Sequence, residues 1–354
     1  MSDDGRWSLD AIGAAVDRRL AGFLGEQLAH LSGADPVLEP LGDAVARLIG
    51  AGGKRIRPAF VYWGHRAAGA AHDEAVLTPA AAVELVHAFA LIHDDVMDHA
   101  PTRRGRAAAH EAFAATHAEA AMSGDSRWFG VSAAILAGDV ATAWAARLFD
   151  ESAFAADALA RARDVFTRLQ VEVISGQYME MWLAGRDATE TEVLKVALLK
   201  SGRYTVTRPL HLGAALGGGG EDLGATLTAY GDAVGLGFQL RDDVLGLFGD
   251  PSVTGKGNLE DVRGGKRTLL VVWALQRAGG ADRRAVLSRL GNRDVTGEDV
   301  EVVRGVVTRT GALADVEALA ARQRAVAAEA LEGVPSPARE ALSELADLAL
   351  DRTT

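Results

Sequence analysis

Residues Thr78 to Arg106 read TPAAAVELVHAFALIHDDVMDHAPTRRGR, and this stretch decides the fold class. Thr78 can cap a helix, and Pro79 suits the first helical turn because its missing N–H has no partner there. The apolar run that follows predicts a helix about 30 Å long, at about 1.5 Å per residue. This helix is predicted to end in a cluster of carboxylates, which are Asp94, Asp95 and Asp98.

The carboxylate cluster predicts a metal site. Asp94 and Asp98 are four residues apart and therefore share one face of the helix. Anions gathered at the negative end of a helix repel one another and the helix dipole, and a divalent cation removes that repulsion. Because oxygen ligands without cysteine suit magnesium, we expect Mg²⁺ here. The paired arginines directly downstream, Arg103 and Arg104, then predict direct contacts to a phosphate in the same pocket.

The composition excludes several classes of function. The chain has 354 residues, is 49% hydrophobic and has a net charge of −11, which opposes general binding to nucleic acid. It has no cysteine, so disulfides, thiolate nucleophiles and sulfur-ligated zinc are excluded. The N-terminal sequence MSDDGRWSLD does not have the basic and apolar regions of a secretory signal. We therefore expect a soluble, cytoplasmic protein, with no apolar run long enough for a membrane span.

Other cationic and acidic motifs lie on both sides of this stretch. Upstream, GGKRIRP at residues 52–58 combines a flexible glycine turn with cations, which predicts a ligand close to the backbone. Downstream, Lys200 and Ser201 lie within an apolar helix, where a lysine must reach solvent or pair with an anion. A second apolar helix then carries GLGFQLRDDVLG at residues 235–246, and a glycine-rich loop with further lysines follows. That loop could close over phosphates.

Together these residues resemble the trans-isoprenyl diphosphate synthase (polyprenyl synthetase) family from about Gly52 to Thr268. The family pattern is a basic GGKxxRP turn, DDxxD followed by RRG, a lysine with a hydroxyl residue, FQxxDD and two further lysines. All occur here in this order. The resemblance implies an all-α, isoprenoid synthase-type helical bundle around a central cavity, with the two aspartate motifs facing each other across its mouth. We expect one all-helical domain over residues 1–354, with a motif-bearing core over about 52–268 and C-terminal packing helices over about 281–354.

The resemblance also implies a role for each matching residue. The magnesium ligands would be Asp94, Asp98 and Asp242, with Asp95 and Asp243 assisting. The diphosphate of isopentenyl diphosphate would contact Lys54, Arg57, His87 and Arg104. The diphosphate of the allylic substrate would contact Arg103, Lys200, Lys256 and Lys266. The allylic carbocation would be stabilised by Ser201 and Gln239.

The implied chemistry explains why these residue types occur. A set of three Mg²⁺ ions and several cationic side chains would withdraw charge from the allylic diphosphate and make it a leaving group. The resulting carbocation would be attacked by the double bond of isopentenyl diphosphate, and the departing diphosphate would take the proton. The resemblance further implies a homodimer.

Two positions depart from the family pattern. The second motif ends in Gly246 where many members carry a third aspartate, although Asp250 one turn further could substitute for it. Ser201 follows the lysine where threonine is commoner, and serine keeps the hydroxyl. Product length in this family depends on residues just before the first motif. Here Phe89 is bulky and Ala90 is small, which favours geranylgeranyl diphosphate (C20) over farnesyl (C15) or longer (C25 and above) diphosphates.

Three other functions are alternatives to chain elongation. A class I terpene cyclase would share the fold, but it would have no use for Lys54 and Arg57 and usually carries a different second metal motif. A di-iron carboxylate bundle would need two Glu-x-x-His segments, and the sequence has one at Glu84 to His87. A non-catalytic regulatory subunit would tend to lose the first aspartate motif, which is intact here.

Overall fold

The computed structural model describes residues 7–249 and 259–351, and these are almost entirely helical, which confirms the all-α prediction. The chain divides into two compact units. Unit 1 comprises Met1–Asp164 with Leu212–Gly219, and unit 2 comprises Val165–His211 with Gly220–Thr354. The prediction of a single domain over the whole chain stays a prediction.

Unit 1 contains the first aspartate motif. Its α-helices are α1 (Leu9–Ala34), α2 (Glu39–Gly50), α3 (Ile56–Ala67), α4 (Leu77–Met97), α5 (Ala109–Glu119) and α6 (Ser126–Asp150). Short 3₁₀ turns cover Pro36–Leu38 and Glu74–Val76, and a two-stranded hairpin pairs β1 (Thr102–Arg103) with β2 (Arg106–Ala107). Helices α7 (Ala156–Ala184) and α9 (Arg208–Leu216) each contribute residues to both units.

Unit 2 contains the second aspartate motif. Its first elements are α8 (Glu190–Val196), a π-helix (Ala197–Thr207) and α10 (Glu221–Phe248). The helices that follow are α11 (Leu259–Arg263), α12 (Leu269–Arg277), α13 (Gly280–Leu287), α14 (Gly297–Arg309), α15 (Ala312–Ala330) and α16 (Ala338–Leu350), with a 3₁₀ turn at Leu331–Gly333 before α16.

Helix α4 lies in the core of unit 1. Its apolar residues are buried on every side over most of its length, and it packs against α1, α2, α3, α5 and α6. The helix begins at Leu77, so the prediction that Thr78 caps it was wrong. The reason is the preceding 3₁₀ turn, in which the Asp73 side chain accepts the backbone N–H of Ala75 and already orders the chain. The helix ends at Met97, so Asp98 is its C-cap residue.

Helix α10 is the helix of unit 2 that carries the second aspartate motif, and many of its residues are buried. It packs against the π-helix, α11, α12, α15 and α16. The contact with the π-helix requires glycine on both sides, because a Cβ built on Gly235 would lie 2.5 Å from the Cα of Gly202. In the π-helix the hydrogen bonds shift by one residue, as in the bond from the Arg208 N–H to the Arg203 carbonyl oxygen. Such shifts often occur at functional sites.

Two helical segments correct the expectation about membrane-span length. Glu74–Met97 and Ser126–Asp150 are each long and apolar enough to cross a membrane by length and composition alone. In the first, 72% of the apolar window is buried, which is the pattern of a core helix, and in the second the buried share is 39%. Length and composition are weak evidence for a span, since buried helices of soluble proteins have the same properties.

Candidate active site

The first aspartate cluster lies at the C-terminal end of α4. Asp95 is buried, Asp94 is half-buried and Asp98 is exposed. The N–H of Asp98 donates to the Asp94 carbonyl oxygen at 2.8 Å, which closes the last turn. Carboxylate oxygens of Asp94 and Asp98 lie within 4.8 Å of each other. Two carboxylates this close, at the negative end of a helix, make a favourable site for a divalent cation.

Asp95 is held by an arginine from the β1–β2 hairpin. Arg103 donates from Nε to Asp95 Oδ1 at 2.8 Å and from Nη2 to the same oxygen, and Nη2 lies 3.6 Å from Asp94 Oδ2. Burial raises the pKa of the Asp95 carboxyl, and the Arg103 hydrogen bonds act against that rise. Arg103, predicted to contact the allylic diphosphate, is therefore paired with the aspartate motif here. It links the hairpin to α4.

The predicted isopentenyl diphosphate residues lie around the basic turn in unit 1. Arg104 donates to the carbonyl oxygen of Gly52 across the turn. Burial and the charges of Arg57 and Arg104 hold the pKa of the His87 imidazole well below its ordinary value. The structure therefore brings His87, Arg57 and Arg104 together, with the imidazole neutral among cations. Lys54 is exposed at the start of the turn.

The predicted product-length residue Phe89 contacts a histidine. The rings of Phe89 and His93 are edge to face, with their centroids 4.9 Å apart. His93 Nε2 lies 2.9 Å from the Ile135 carbonyl oxygen on α6. The ring fits there because Gly138 has no side chain, since a Cβ on Gly138 would lie 2.1 Å from His93 Nε2. Phe89 is thus supported by α6, and the adjacent Ala90 is half-buried.

Lys200, which was predicted to contact the allylic diphosphate, is paired with a glutamate. Lys200 Nζ donates to Glu180 Oε2, and Ser201 beside it is buried in the π-helix. Helix α7 can approach the π-helix closely here because Gly176 has no side chain. A Cβ at that position would lie 2.3 Å from the Lys200 backbone nitrogen. Glu180 is a residue that the sequence did not single out as functional. No motif marks it, because its partner Lys200 lies 20 residues away on another helix.

The second aspartate motif forms an internal contact with the predicted glutamine. Gln239 Nε2 donates to Asp243 Oδ1 at 2.6 Å, one turn away on α10. Burial raises the pKa of the Asp243 carboxyl well above its ordinary value, the Gln239 hydrogen bond opposes this, and nearby carboxylates add to it. Asp242 precedes it and is half-buried. The position of Gln239 is therefore determined by the aspartate motif.

Asp261 lies beside the position where the family pattern has a third aspartate. A Cβ built on Gly246 would lie 2.2 Å from Asp261 Oδ2, so the Asp261 carboxylate occupies that space. Asp261 Oδ1 also lies 3.2 Å from Nζ of the predicted ligand Lys266. The sequence did not identify Asp261, because it belongs to a separate helix. The two other predicted residues of this region, Asp250 and Lys256, lie outside the described residues.

Several of these unit 2 residues line one partly open cleft. Its polar lining includes Glu180, Lys200, Gln239, Asp243 and Lys266. Its apolar lining includes Leu183, Val193, Leu240 and Leu269. A cleft with convergent cations and an apolar wall can hold the phosphates of a ligand beside a hydrocarbon chain.

Comparisons with known proteins identify relatives over most of the chain. The family model described as polyprenyl synthetase matches residues 39–307. A geranylfarnesyl diphosphate synthase of Aeropyrum pernix is 33% identical over 88% of this chain and 92% of its own length. A geranylgeranyl diphosphate synthase of Methanosarcina mazei is 32% identical over 90% of this chain and 92% of its own length.

A solved structure shares the fold over nearly the whole chain. It is a geranylgeranyl pyrophosphate synthase from Corynebacterium glutamicum, in complex with isoprenyl diphosphate and magnesium. The two proteins are 37% identical with a TM-score of 0.92, and the match covers 98% of this chain and 100% of that one. The predicted isoprenoid synthase-type fold is thereby confirmed.

Proposed function

Because this chain belongs to the polyprenyl synthetase family and is a trans-prenyltransferase, we propose that it condenses isopentenyl diphosphate with allylic diphosphates and yields mainly geranylgeranyl diphosphate. The observation that supports this most is the cationic group around His87 in the unit that also carries the Asp94 and Asp98 carboxylates. An enzyme that ionises one diphosphate substrate and adds another needs two separate sets of cations. Unit 2 supplies the second set with Lys200 and Lys266.

Isopentenyl diphosphate would bind at the basic turn. Arg57 and Arg104 supply guanidinium groups, and Lys54 extends from the exposed start of the turn. The neutral imidazole of His87 can donate one N–H to a phosphate oxygen without adding a further charge to the arginines. The substrate diphosphate would relieve the mutual repulsion of these cations, which favours binding.

The aspartates fit Mg²⁺ by the chemistry of their donor groups. Asp94 and Asp98 offer oxygen atoms at the negative end of α4, and Asp242 offers another carboxylate in unit 2. A set of three bound Mg²⁺ ions would supply positive charge to the allylic diphosphate and stabilise it as a leaving group. Asp95 and Asp243, each bound to a neighbouring side chain, would keep the metal ligands in place.

The lysines of unit 2 would hold the allylic diphosphate as its bond to carbon breaks. Lys200 and Lys266 each lie beside a carboxylate, which holds the ammonium groups in place before the substrate arrives. Arg103 and Lys256 are proposed to join them at the phosphate. The oxygen atoms of Ser201 and Gln239 would stabilise the carbocation, and the apolar wall would exclude water. The departing diphosphate takes the proton that the condensation releases.

The C20 product is favoured by the pair Phe89 and Ala90. Phe89 is supported through His93 against α6, so it can act as a firm floor beneath the growing chain. The relatives with similar sequences include synthases of C20 and C25 products. A C15 or C25 diphosphate is therefore the alternative product of the same reaction.

A homodimer is supported by an apolar face on α6 of unit 1. Trp128 is 67% exposed and Leu136 is 56% exposed, with Phe129 and Ile135 beside them. Exposed apolar side chains of this size in one group are typical of protein interfaces. We propose that a second copy of the chain covers this face and that the dimer is a soluble cytoplasmic enzyme. Light scattering should give twice the mass of the chain, and Leu136→Glu should shift it toward the monomer.

The reaction itself is tested by isotope incorporation. The purified protein, with magnesium and farnesyl diphosphate, should transfer label from isopentenyl diphosphate into geranylgeranyl diphosphate. Omission of the allylic substrate should abolish incorporation. A cyclic hydrocarbon formed from the allylic diphosphate alone would contradict the proposal.

A further inference from the structure

Arg55 differs from the other cations of the basic turn because its guanidinium is buried. Arg55 is 5% exposed as a whole residue, whereas Lys54 is exposed and Arg57 is half-buried. The backbone φ of Arg55 is +47°, in the left-handed region that residues with a Cβ rarely adopt. Such a conformation persists only when the surrounding contacts hold it.

The Arg55 guanidinium binds three helices at once. Nε donates to Asp17 Oδ1 at 2.7 Å, and Nη1 donates to Glu84 Oε2 at 2.6 Å. Nη2 donates to the Ile49 carbonyl oxygen at 2.8 Å. These partners belong to α1, α4 and α2. One side chain therefore holds the basic turn against α4, where His87 lies one turn after Glu84.

Glu84 places a carboxylate in the interior of unit 1. Glu84 is 3% exposed. Arg55 binds its Oε2, whereas its Oε1 is buried without a hydrogen-bond partner. Burying a charged pair is costly, and replacing such a pair with apolar residues is often neutral or stabilising. Stability alone is therefore a poor explanation for this pair, and its place beside the isopentenyl site suggests a role in binding.

The pair also shapes the surroundings of Arg104. A Cβ built on Gly53 would lie 3.5 Å from Arg104 Nη2 and 3.9 Å from Arg55 Nη1, so both guanidinium groups approach the same glycine. Burial and the charge of Arg55 lower the pKa of Arg104, and the negative charge of Glu84 opposes them. Glu84 thus reduces the repulsion between two cations that must stand side by side before the diphosphate arrives.

We propose that Arg55 and Glu84 are positioning residues for isopentenyl diphosphate, an inference that rests on the function proposed above. Arg55 holds the turn in its left-handed conformation, and Glu84 supplies the countercharge. Neither side chain contacts the substrate. Lys54 and Arg57 then reach the diphosphate from a fixed backbone, and loss of the pair weakens binding at this site alone.

The test measures binding and kinetics of full-length variants Glu84→Gln and Arg55→Lys. Calorimetry with isopentenyl diphosphate should show an increase in Kd of about tenfold or more. The reason is that a displacement of the binding cations by about 1 Å is enough to weaken their contacts with the diphosphate. The KM for isopentenyl diphosphate should rise similarly. The kcat at saturation and the KM for the allylic diphosphate should stay within about twofold. The matched control is Arg147→Lys, which alters an exposed ion pair with Glu151 and should change none of these values.

A double variant tests whether the two residues act as a unit. If they do, Arg55→Lys combined with Glu84→Gln should bind no more weakly than the worse single variant. Should Glu84→Gln fail to fold, Asp17→Asn tests the same network at its exposed side, with a smaller rise in Kd expected.

Three results would overturn the inference. An unchanged Kd in folded variants would remove the positioning role. An equal rise in KM for both substrates, together with lost helical content, would show a purely structural pair. Failure of the wild-type protein itself to bind isopentenyl diphosphate would refute the proposed function, and the inference would fall with it.

Discussion

Gly246→Ala is expected to change the stability of the protein little and yet impair the reaction. The added Cβ would lie 2.2 Å from Asp261 Oδ2, whereas an ordinary contact needs about 3.4 Å. The carboxylate must therefore move by about 1.2 Å, the difference between these two distances. Because Asp261 Oδ1 is 3.2 Å from Lys266 Nζ, this movement also displaces the lysine proposed to hold the allylic diphosphate.

The size of the effect follows from that displacement. A misplacement of about 1 Å in a catalytic site can cost about a hundredfold in rate, so we expect kcat/KM for the allylic substrate to fall by about 10- to 100-fold. Replacing glycine by alanine within a helix stabilises it by about 0.5–1 kcal/mol, which offsets part of the strain. Thermal unfolding should therefore change little while the activity falls. Initial rates at varied allylic diphosphate concentration measure this directly.

The matched control is Gly224→Ala on the same helix. No atom lies within 4 Å of a Cβ at that position, so this variant should gain stability and keep full activity. Gly246→Asp, which restores the common family pattern, should impair the enzyme for the same steric reason. Combining it with Asp261→Gly should recover part of the activity. Wild-type kcat/KM in Gly246→Ala would refute the reasoning, because Asp261 and Lys266 would then have no part in the reaction.

Three further predictions concern the metal ligands, the product and the pH dependence. Asp94→Ala or Asp242→Ala should each reduce turnover by about three orders of magnitude with unchanged circular dichroism, since each removes charge stabilisation; near-wild-type rates in both would exclude the metal assignment. Phe89→Ala should lengthen the product measured by mass spectrometry, and an unchanged distribution would place the cavity floor elsewhere. The free energy of unfolding should fall as the pH drops below about 6.5, because the unfolded chain takes up protons that four histidines of lowered pKa do not bind in the folded state, and we expect this to exceed the opposite contribution of the Asp95 and Asp243 carboxyls of raised pKa. A flat profile in chemical denaturation from pH 7.5 to 5.5 would contradict this; these histidines are His65, His87, His110 and His211.

The helical fold could be predicted because the apolar run of α4 is too long and too regular for a strand. The first residue of α4 was harder to predict from the sequence, because the helix start at Leu77 depends on the Asp73 turn before it. The π-helix at Ala197–Thr207 could not be predicted, because it accompanies a close approach of Gly202 to Gly235 on a different helix. Hydrogen-bond shifts of this kind depend on packing between elements rather than on local propensity.

The residue types of the candidate site could be predicted from the sequence, but the contacts between those residues could not. Lys200 was expected to meet an anion, and the structure identifies that anion as Glu180 from α7. The absence of a third aspartate at Gly246 was visible, but the position of the Asp261 carboxylate in that space depends on how α11 packs beside α10. Arg55 looked equivalent to its cationic neighbours, and its burial and its contacts with Asp17 and Glu84 distinguish it. Such pairings join elements far apart in the chain.

The most direct test of the central claim is a product assay with defined primers. The purified protein would be incubated with magnesium, isopentenyl diphosphate and each of dimethylallyl, geranyl and farnesyl diphosphate, and the dephosphorylated products would be identified by mass spectrometry. The account predicts linear geranylgeraniol as the main product. Absence of any condensation product with all three primers would contradict it.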